Sequence, residues 1–176
     1  MKFLRLLFYT LFFSVMFVFF LPKENLYQLA QHELEQRYKL LIVDKKRQES
    51  PFGIEAQSGF IEYDDIELAR FDKLDMDFYF FVNYISLEGV RLSPFVESYL
   101  PKELQSLSIE YAIWNPFIVK IYAKGAFGVL EGSYRVKEHS VVVHLKASKL
   151  MIKRYKESLG YFKKTKTGEY IYEKSL

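Results

Sequence analysis

The side chains able to carry chemistry in this 176-residue sequence are few: three histidines, an acidic run and a basic run, with no cysteine. His144 alternates onto the polar side of a strand-like stretch from Val141 to Ala147, and His139 sits in a turn five residues earlier. Neither has a carboxylate or hydroxyl at the spacing that acid–base catalysis or a zinc site would use, so both read as solvated. His32 is the third histidine. Between Glu62 and Asp77 seven acidic residues face only Arg70 and Lys73, but the stretch lacks the glycine and ligand spacing of a calcium loop and reads as a solvated strand face. The lack of cysteine removes disulfide frameworks, thiolate metal sites and thiol nucleophiles together. Glycine-rich phosphate loops and serine nucleophile elbows are missing as well. The expectation is a non-enzymatic protein with no catalytic residues, metal or cofactor.

Eight basic residues lie between Lys146 and Lys166, opposed by Glu157 alone. Six of them, Lys149, Lys153, Arg154, Lys156, Lys163 and Lys164, form a candidate contact for anionic lipid headgroups or an acidic partner, although a solvated helix face explains them equally. The net charge of +3 falls to +1 without Lys2 and Arg5, so the body has no field that would recruit nucleic acid.

These groups must be positioned by a chain that opens on a strongly apolar segment. Leu6 to Leu21 is uncharged over sixteen residues, and twelve of them are Leu, Phe or Val: Leu6, Leu7, Phe8, Leu11, Phe12, Phe13, Val15, Phe17, Val18, Phe19, Phe20 and Leu21. On an insertion scale those twelve contribute roughly −4 to −7 kcal/mol, enough to enter a bilayer. As a helix the run is about 24 Å long, and Phe3 and Leu4 extend it if Arg5 snorkels to the interface. A cleaved signal peptide is the competing reading. Cleavage needs small residues after the run, whereas the exit here is Phe19-Phe20-Leu21-Pro22-Lys23. Residues 1–22 are therefore expected to be a short cytoplasmic tail and a retained signal-anchor. Basic residues flank both ends, so charge does not orient the span. The five-residue tail, typical of a signal-anchor, places the body outside the cytoplasm, which in a bacterium means a single-pass inner-membrane protein with a periplasmic domain.

Pro22 ends the span and opens residues 23–38, where Leu26, Leu29, Ala30, Leu34 and Tyr38 recur at helical spacing. This amphipathic helix either lies on the bilayer or packs on the domain that follows. Residues 39–176 then change to period two. Strand-like runs are Lys39 to Val43, a pair within Phe52 to Tyr63 broken at Ser58-Gly59, Leu74 to Phe78, Ser106 to Ile113 and Val141 to Ala147. Turn signals fall at Glu88-Gly89, Ser93-Pro94, Tyr99-Leu100-Pro101, Asn115-Pro116, Lys124-Gly125 and Glu131-Gly132. Lys149 to Phe162 reads as a helix, followed by a short closing strand over Glu169 to Glu173. The fold class expected is mainly β within α+β: an anchor, a short helix, then an antiparallel meander with a C-terminal helix and closing strand.

From Phe78 to Ile85 the chain is apolar on both strand faces, which a one-sided sheet does not need. Phe78, Phe80, Val82 and Ile85 are thus a candidate apolar groove for lipid. The aromatic content of 18% has two explanations, a bias in genome base composition or a large apolar surface that serves a ligand.

Several local phrases carry a likeness: Leu21-Pro22 leading to Leu26, the run Gly59 to Leu68, Gly125-Ala126-Phe127-Gly128 followed by Glu131-Gly132-Ser133, and the ending Gly168 to Glu173. In these the chain resembles the periplasmic family that includes type II secretion protein N and, more remotely, AsmA-like proteins. The resemblance implies a curved sheet, apolar on its concave side, that serves either envelope secretion machinery or lipid movement. No catalytic residue is carried over. The two functional expectations are an accessory scaffold of an envelope assembly, with other envelope proteins as partners, and a lipid-binding or lipid-transfer groove.

Overall fold

In a computed structural model the structure describes residues 2–175. The apolar run forms α1 (Lys2–Phe20), a helix long and apolar enough to cross a membrane. Its side chains are exposed along nearly its whole length, Val18 being the buried exception. Pro22 separates it from α2 (Lys23–Tyr38). At the junction the Lys23 ammonium donates to the carbonyls of Phe19 (3.0 Å) and Leu21 (3.2 Å), which places a cation at the C-terminal end of α1 where the helix leaves its last carbonyls unpaired.

The body is one ten-stranded antiparallel sheet, open and curved. In chain order its strands are β1 (Leu40–Glu49), β2 (Gly53–Tyr63), β3 (Ile66–Phe78), β4 (Val82–Leu92), β5 (Glu103–Ala112), β6 (Ile118–Gly125), β7 (Gly128–Arg135), β8 (Ser140–Ala147), β9 (Lys163–Lys164) and β10 (Tyr170–Ser175). Each pairs with its chain neighbour except at the end, where β10 inserts between β8 and β9. Three short helices join the connections: α3 (Pro94–Glu97), α4 (Lys149–Arg154) and α5 (Lys156–Leu159).

One face of the sheet is apolar from edge to edge because the register lines up the alternating residues. The pairs Ala56–Leu74, Leu74–Leu87, Leu87–Leu107, Leu107–Ala123, Ala123–Leu130, Leu130–Leu145 and Leu145–Tyr170 make a single row across eight strands. Two buried clusters form on this face. The first lies under α2 around Tyr27, Phe71 and Leu74, and the second under α4 and α5 around Met151, Leu159 and Leu145. They meet at Leu104 and Leu107. Phe71, 1% exposed, occupies space that only glycine leaves open, since a Cβ on Gly59 would stand 2.3 Å from the Phe71 ring.

Several expected elements differ. The predicted break at Ser58-Gly59 is absorbed within β2, Ser58 taking a positive φ of 53° while the pairing continues on both sides. Glu131-Gly132 is no turn but the middle of β7; the reversal occurs at Ala126-Phe127, where Phe127 is buried. The single C-terminal helix is broken at Tyr155, whose φ of −117° and ψ of 44° are not helical. A straight helix would set Met151 and Leu159 about 80° apart around its axis, and the break lets both reach the second cluster. α2 docks by a different face from the one its spacing suggests. Tyr27 is 1% exposed, while Leu29 and Tyr38 are 58% and 64% exposed.

Candidate lipid-facing surface

The chemistry of Tyr27 explains why α2 turns as it does. Its hydroxyl donates to Asp44 Oδ1 (3.1 Å) and accepts from Gln31 Nε2 (3.0 Å), and Gln31 also donates to the Ile42 carbonyl of β1. The Arg47 guanidinium lies 3.9 Å from the Tyr27 ring centroid and bridges Asp44 and Glu24. Burial first, and then the Asp44 carboxylate, pushes the Tyr27 phenol far above its ordinary range. Burial pulls Arg47 down, but the hydrogen bond to Asp44 and the neighbouring acids more than offset it and hold the cation. This network fixes α2, and with it the exit of α1, against the edge strand.

The sheet has two ends, and the connections place α1 at one of them. The Glu24 amide donates to Glu49 Oε1 (2.8 Å), so α2 begins beside the end of β1. That end carries the β1–β2, β3–β4, β5–β6 and β7–β8 turns. At the other end Lys39, after α2, pairs with Asp64 (2.7 Å) in the β2–β3 turn.

The expected groove residues divide accordingly. Phe78 ends β3 and pairs with Asn83; Tyr79, Phe80 and Phe81 form the β3–β4 turn; Val82 begins β4 and Ile85 lies within it. The two-sided apolarity from Phe78 to Ile85 therefore comes from an apolar hairpin tip and not from a strand with two buried faces. Tyr79, Phe80 and Phe81 join Phe52 and six α1 residues, Leu7, Thr10, Leu11, Ser14, Val15 and Val18, around a cavity of about 410 Å³. Of the four, Phe78 and Ile85 lie on the apolar face of the sheet, packed against the first cluster.

Sequence reasoning missed the larger apolar surface. One register step toward the α1 end from the buried row lies a second row: Ile85, Ile109, Ile121, Gly132, Val143 and Tyr172. A third follows with Tyr111, Val119, Tyr134 and Val141. All ten are half-buried, and from Ile109 onward none belongs to either cluster. At the usual strand spacing of about 4.8 Å the second row is about 24 Å long. Gly132 leaves a dip in it: a Cβ there would lie 3.5 Å from Val143 Cγ2 and 3.6 Å from Ile121 Cβ. Alternation of Ile109, Tyr111, Ile121 and Val143 was the available signal, but a half-covered face alternates like a covered one.

The opposite face is polar. A shallow depression of about 490 Å³ there includes Ser108, Glu110, Lys120, Tyr122, Ser133 and His144, with Lys120 paired to Glu110 at 2.9 Å. Glu131 faces His144 across β7 and β8 without a hydrogen bond between them among the described residues, and His139 touches only Tyr134 Oη at 3.4 Å. His32 is exposed on α2. No group of three His, Asp or Glu among the described residues could hold a metal.

The anchor residues Leu6 to Phe20 all lie in α1, with Leu21 just after it. Lys149, Lys153 and Arg154 lie in α4, Lys156 in α5, and Lys163 and Lys164 in β9. All six are exposed, and they sit at the end of the sheet opposite α1, so they face away from the bilayer that α1 would cross. A second apolar cavity, about 290 Å³, lies beneath this cap between Leu100, Leu130, Leu145, Met151 and Phe162. No family model matches the chain, and no curated protein or solved structure does so either.

Proposed function

We propose that this chain is a non-enzymatic, membrane-anchored protein of the bacterial envelope whose sheet holds an apolar lipid chain against its open face. The observation that carries this reading is the uncovered apolar strip, which runs from Ile109 to Val143, where Phe162 packs on the next residue of the row, Tyr172, and which opens toward the end of the sheet where α1 emerges. A strip left half-exposed costs free energy in water, at roughly 25 cal/mol per Å²; it is stabilised when an apolar molecule covers it, and the bilayer at the α1 end is the adjacent source. In this reading α1 spans the inner membrane and the body lies in the periplasm, in keeping with the resemblance to type II secretion protein N and AsmA-like proteins.

Native mass spectrometry of the full chain released from detergent tests the lipid claim. A retained phospholipid that disappears in Ile121→Lys supports it, and a bare chain from several mild detergents contradicts it. Fusion of alkaline phosphatase or green fluorescent protein after Leu176 tests the topology. Phosphatase activity without fluorescence is expected, and the reverse would put the body in the cytoplasm.

One observation favours a second reading, the scaffold. β9 pairs only with Tyr170 and Ile171, so among the described residues the outer edge of β10 from Tyr172 to Ser175 is open to strand addition. A scaffold of an export assembly requires that deleting the chain impair export under inducing conditions, and unchanged export counts against it.

A further inference from the structure

The turns at the α1 end form a continuous apolar rim. Ser50 to Phe52, Tyr79 to Phe81 and Ile113 to Phe117 contain no charged residue, and they present Phe52, Tyr79, Phe80, Phe81, Trp114 and Phe117 to the outside. Trp114, the single tryptophan of the chain, is 68% exposed, which is unusual for so large an apolar surface in water. Backbone hydrogen bonds tie neighbouring turns together: Phe78 N to Phe52 O (2.6 Å), Ile113 N to Phe81 O (3.0 Å) and Val136 N to Phe117 O (2.9 Å). Ring contacts add to them, with Phe52 and Tyr79 centroids 5.9 Å apart and Phe80 and Phe81 4.8 Å apart. The fourth turn is polar and supplies Lys137, whose ammonium lies 3.9 Å from the Phe117 ring centroid.

We infer that this rim is a second membrane contact, in which the aromatic turns seat in the headgroup and upper acyl region of the same bilayer that α1 crosses. The occupant follows from continuity: Phe52 and Tyr79 to Phe81 already share a cavity wall with α1. A membrane that surrounds α1 meets these rings without any movement of the body. Rings with an apolar body and a polar edge favour that depth, and Lys137 beside Phe117 places a cation at headgroup level. The contact sets the sheet upright, strands running away from the membrane, so that the apolar strip begins at the bilayer surface. α4, α5 and the basic cluster are then at the distal end. The inference rests on α1 being a membrane span, but not on lipid occupying the strip.

The single tryptophan makes the test direct. The full chain is reconstituted in phosphatidylcholine–phosphatidylglycerol vesicles, flotation is scored, and Trp114 emission is recorded with brominated-acyl lipids and with aqueous iodide. The expected result is flotation, a blue-shifted Trp114 emission, loss of most of that emission with brominated lipid, and little loss with iodide. A companion chain with Trp114→Phe and Tyr161→Trp, which moves the probe to the distal end, should show the opposite quenching. Flotation with Trp114 quenched by iodide and not by brominated lipid would leave the anchor standing and overturn the rim contact. Absence of flotation would overturn the span itself and the rim contact with it.

Discussion

Asp77 sits near the α1 end of β3 without an ion-pair partner among the described residues. Burial first, and then the neighbouring Asp75 carboxylate, raises its pKa above the ordinary 3.8, with Lys73 opposing. A carboxyl that binds its proton more tightly in the fold contributes stability below 3.8, and this is lost as pH rises through its folded value. Asp77→Asn should therefore raise the unfolding temperature at neutral pH and leave it unchanged below that value, as measured by thermal unfolding in one detergent at both conditions. A second residue-scale claim concerns Ser148, whose hydroxyl accepts from the Met151 amide (3.1 Å) and donates to the Ala126 carbonyl (2.6 Å). It caps α4 and ties it to the β6–β7 turn at once. Ser148→Ala should cost about 1 kcal/mol, in the range of a lost helix cap, and chemical denaturation would show it as a lower midpoint at constant slope.

Among the elements, the strands most legible in the sequence were those with strict alternation on one buried face, Ser106 to Ile113 and Val141 to Ala147, which correspond to β5 and β8. The hairpin tip at Tyr79 to Phe81 was not legible as a turn because its residues are aromatic, whereas turn chemistry is usually signalled by Gly, Asn, Asp or Pro. Its composition answers to what lies outside the body. Glu131-Gly132 misled for the converse reason: Gly132 has no turn to make and instead leaves the dip between Ile121 and Val143. For α2, helical spacing identified the helix but not its buried face, which is set by one tyrosine and the Asp44–Arg47 pair. The dip gives an element-scale prediction. A Cβ at Gly132 meets only ordinary van der Waals distances of 3.4 Å and more, so Gly132→Val should keep or raise the unfolding temperature. By filling the dip it should also reduce co-purified lipid, scored by mass spectrometry of the same preparation. Lower thermal stability in Gly132→Val would show that the dip is closed by packing.

At the scale of the whole molecule, one open sheet is suspended from an apolar helix and closed by helices at only two places on its apolar face. The second cluster and the row through Leu107 lie on the distal side of the uncovered strip, whereas the first cluster reaches into the strip's own row through Ile54, Met76 and Ile85, so the strip is uncovered only from Ile109 onward. The apolar N-terminal helix and the β class were readable from composition and period. The strip was not, since its exposure depends on where α2, α4 and α5 stop, and no local pattern records that. The most direct test places a benzophenone amino acid at position 121 on the strip, and at position 124 on the polar face, in cells. The expected result on irradiation is a lipid adduct, resolved by mass spectrometry, at 121 and none at 124. Equal labelling at both positions, or none at 121 while the chain remains membrane-bound, would contradict the claim that the open face holds lipid.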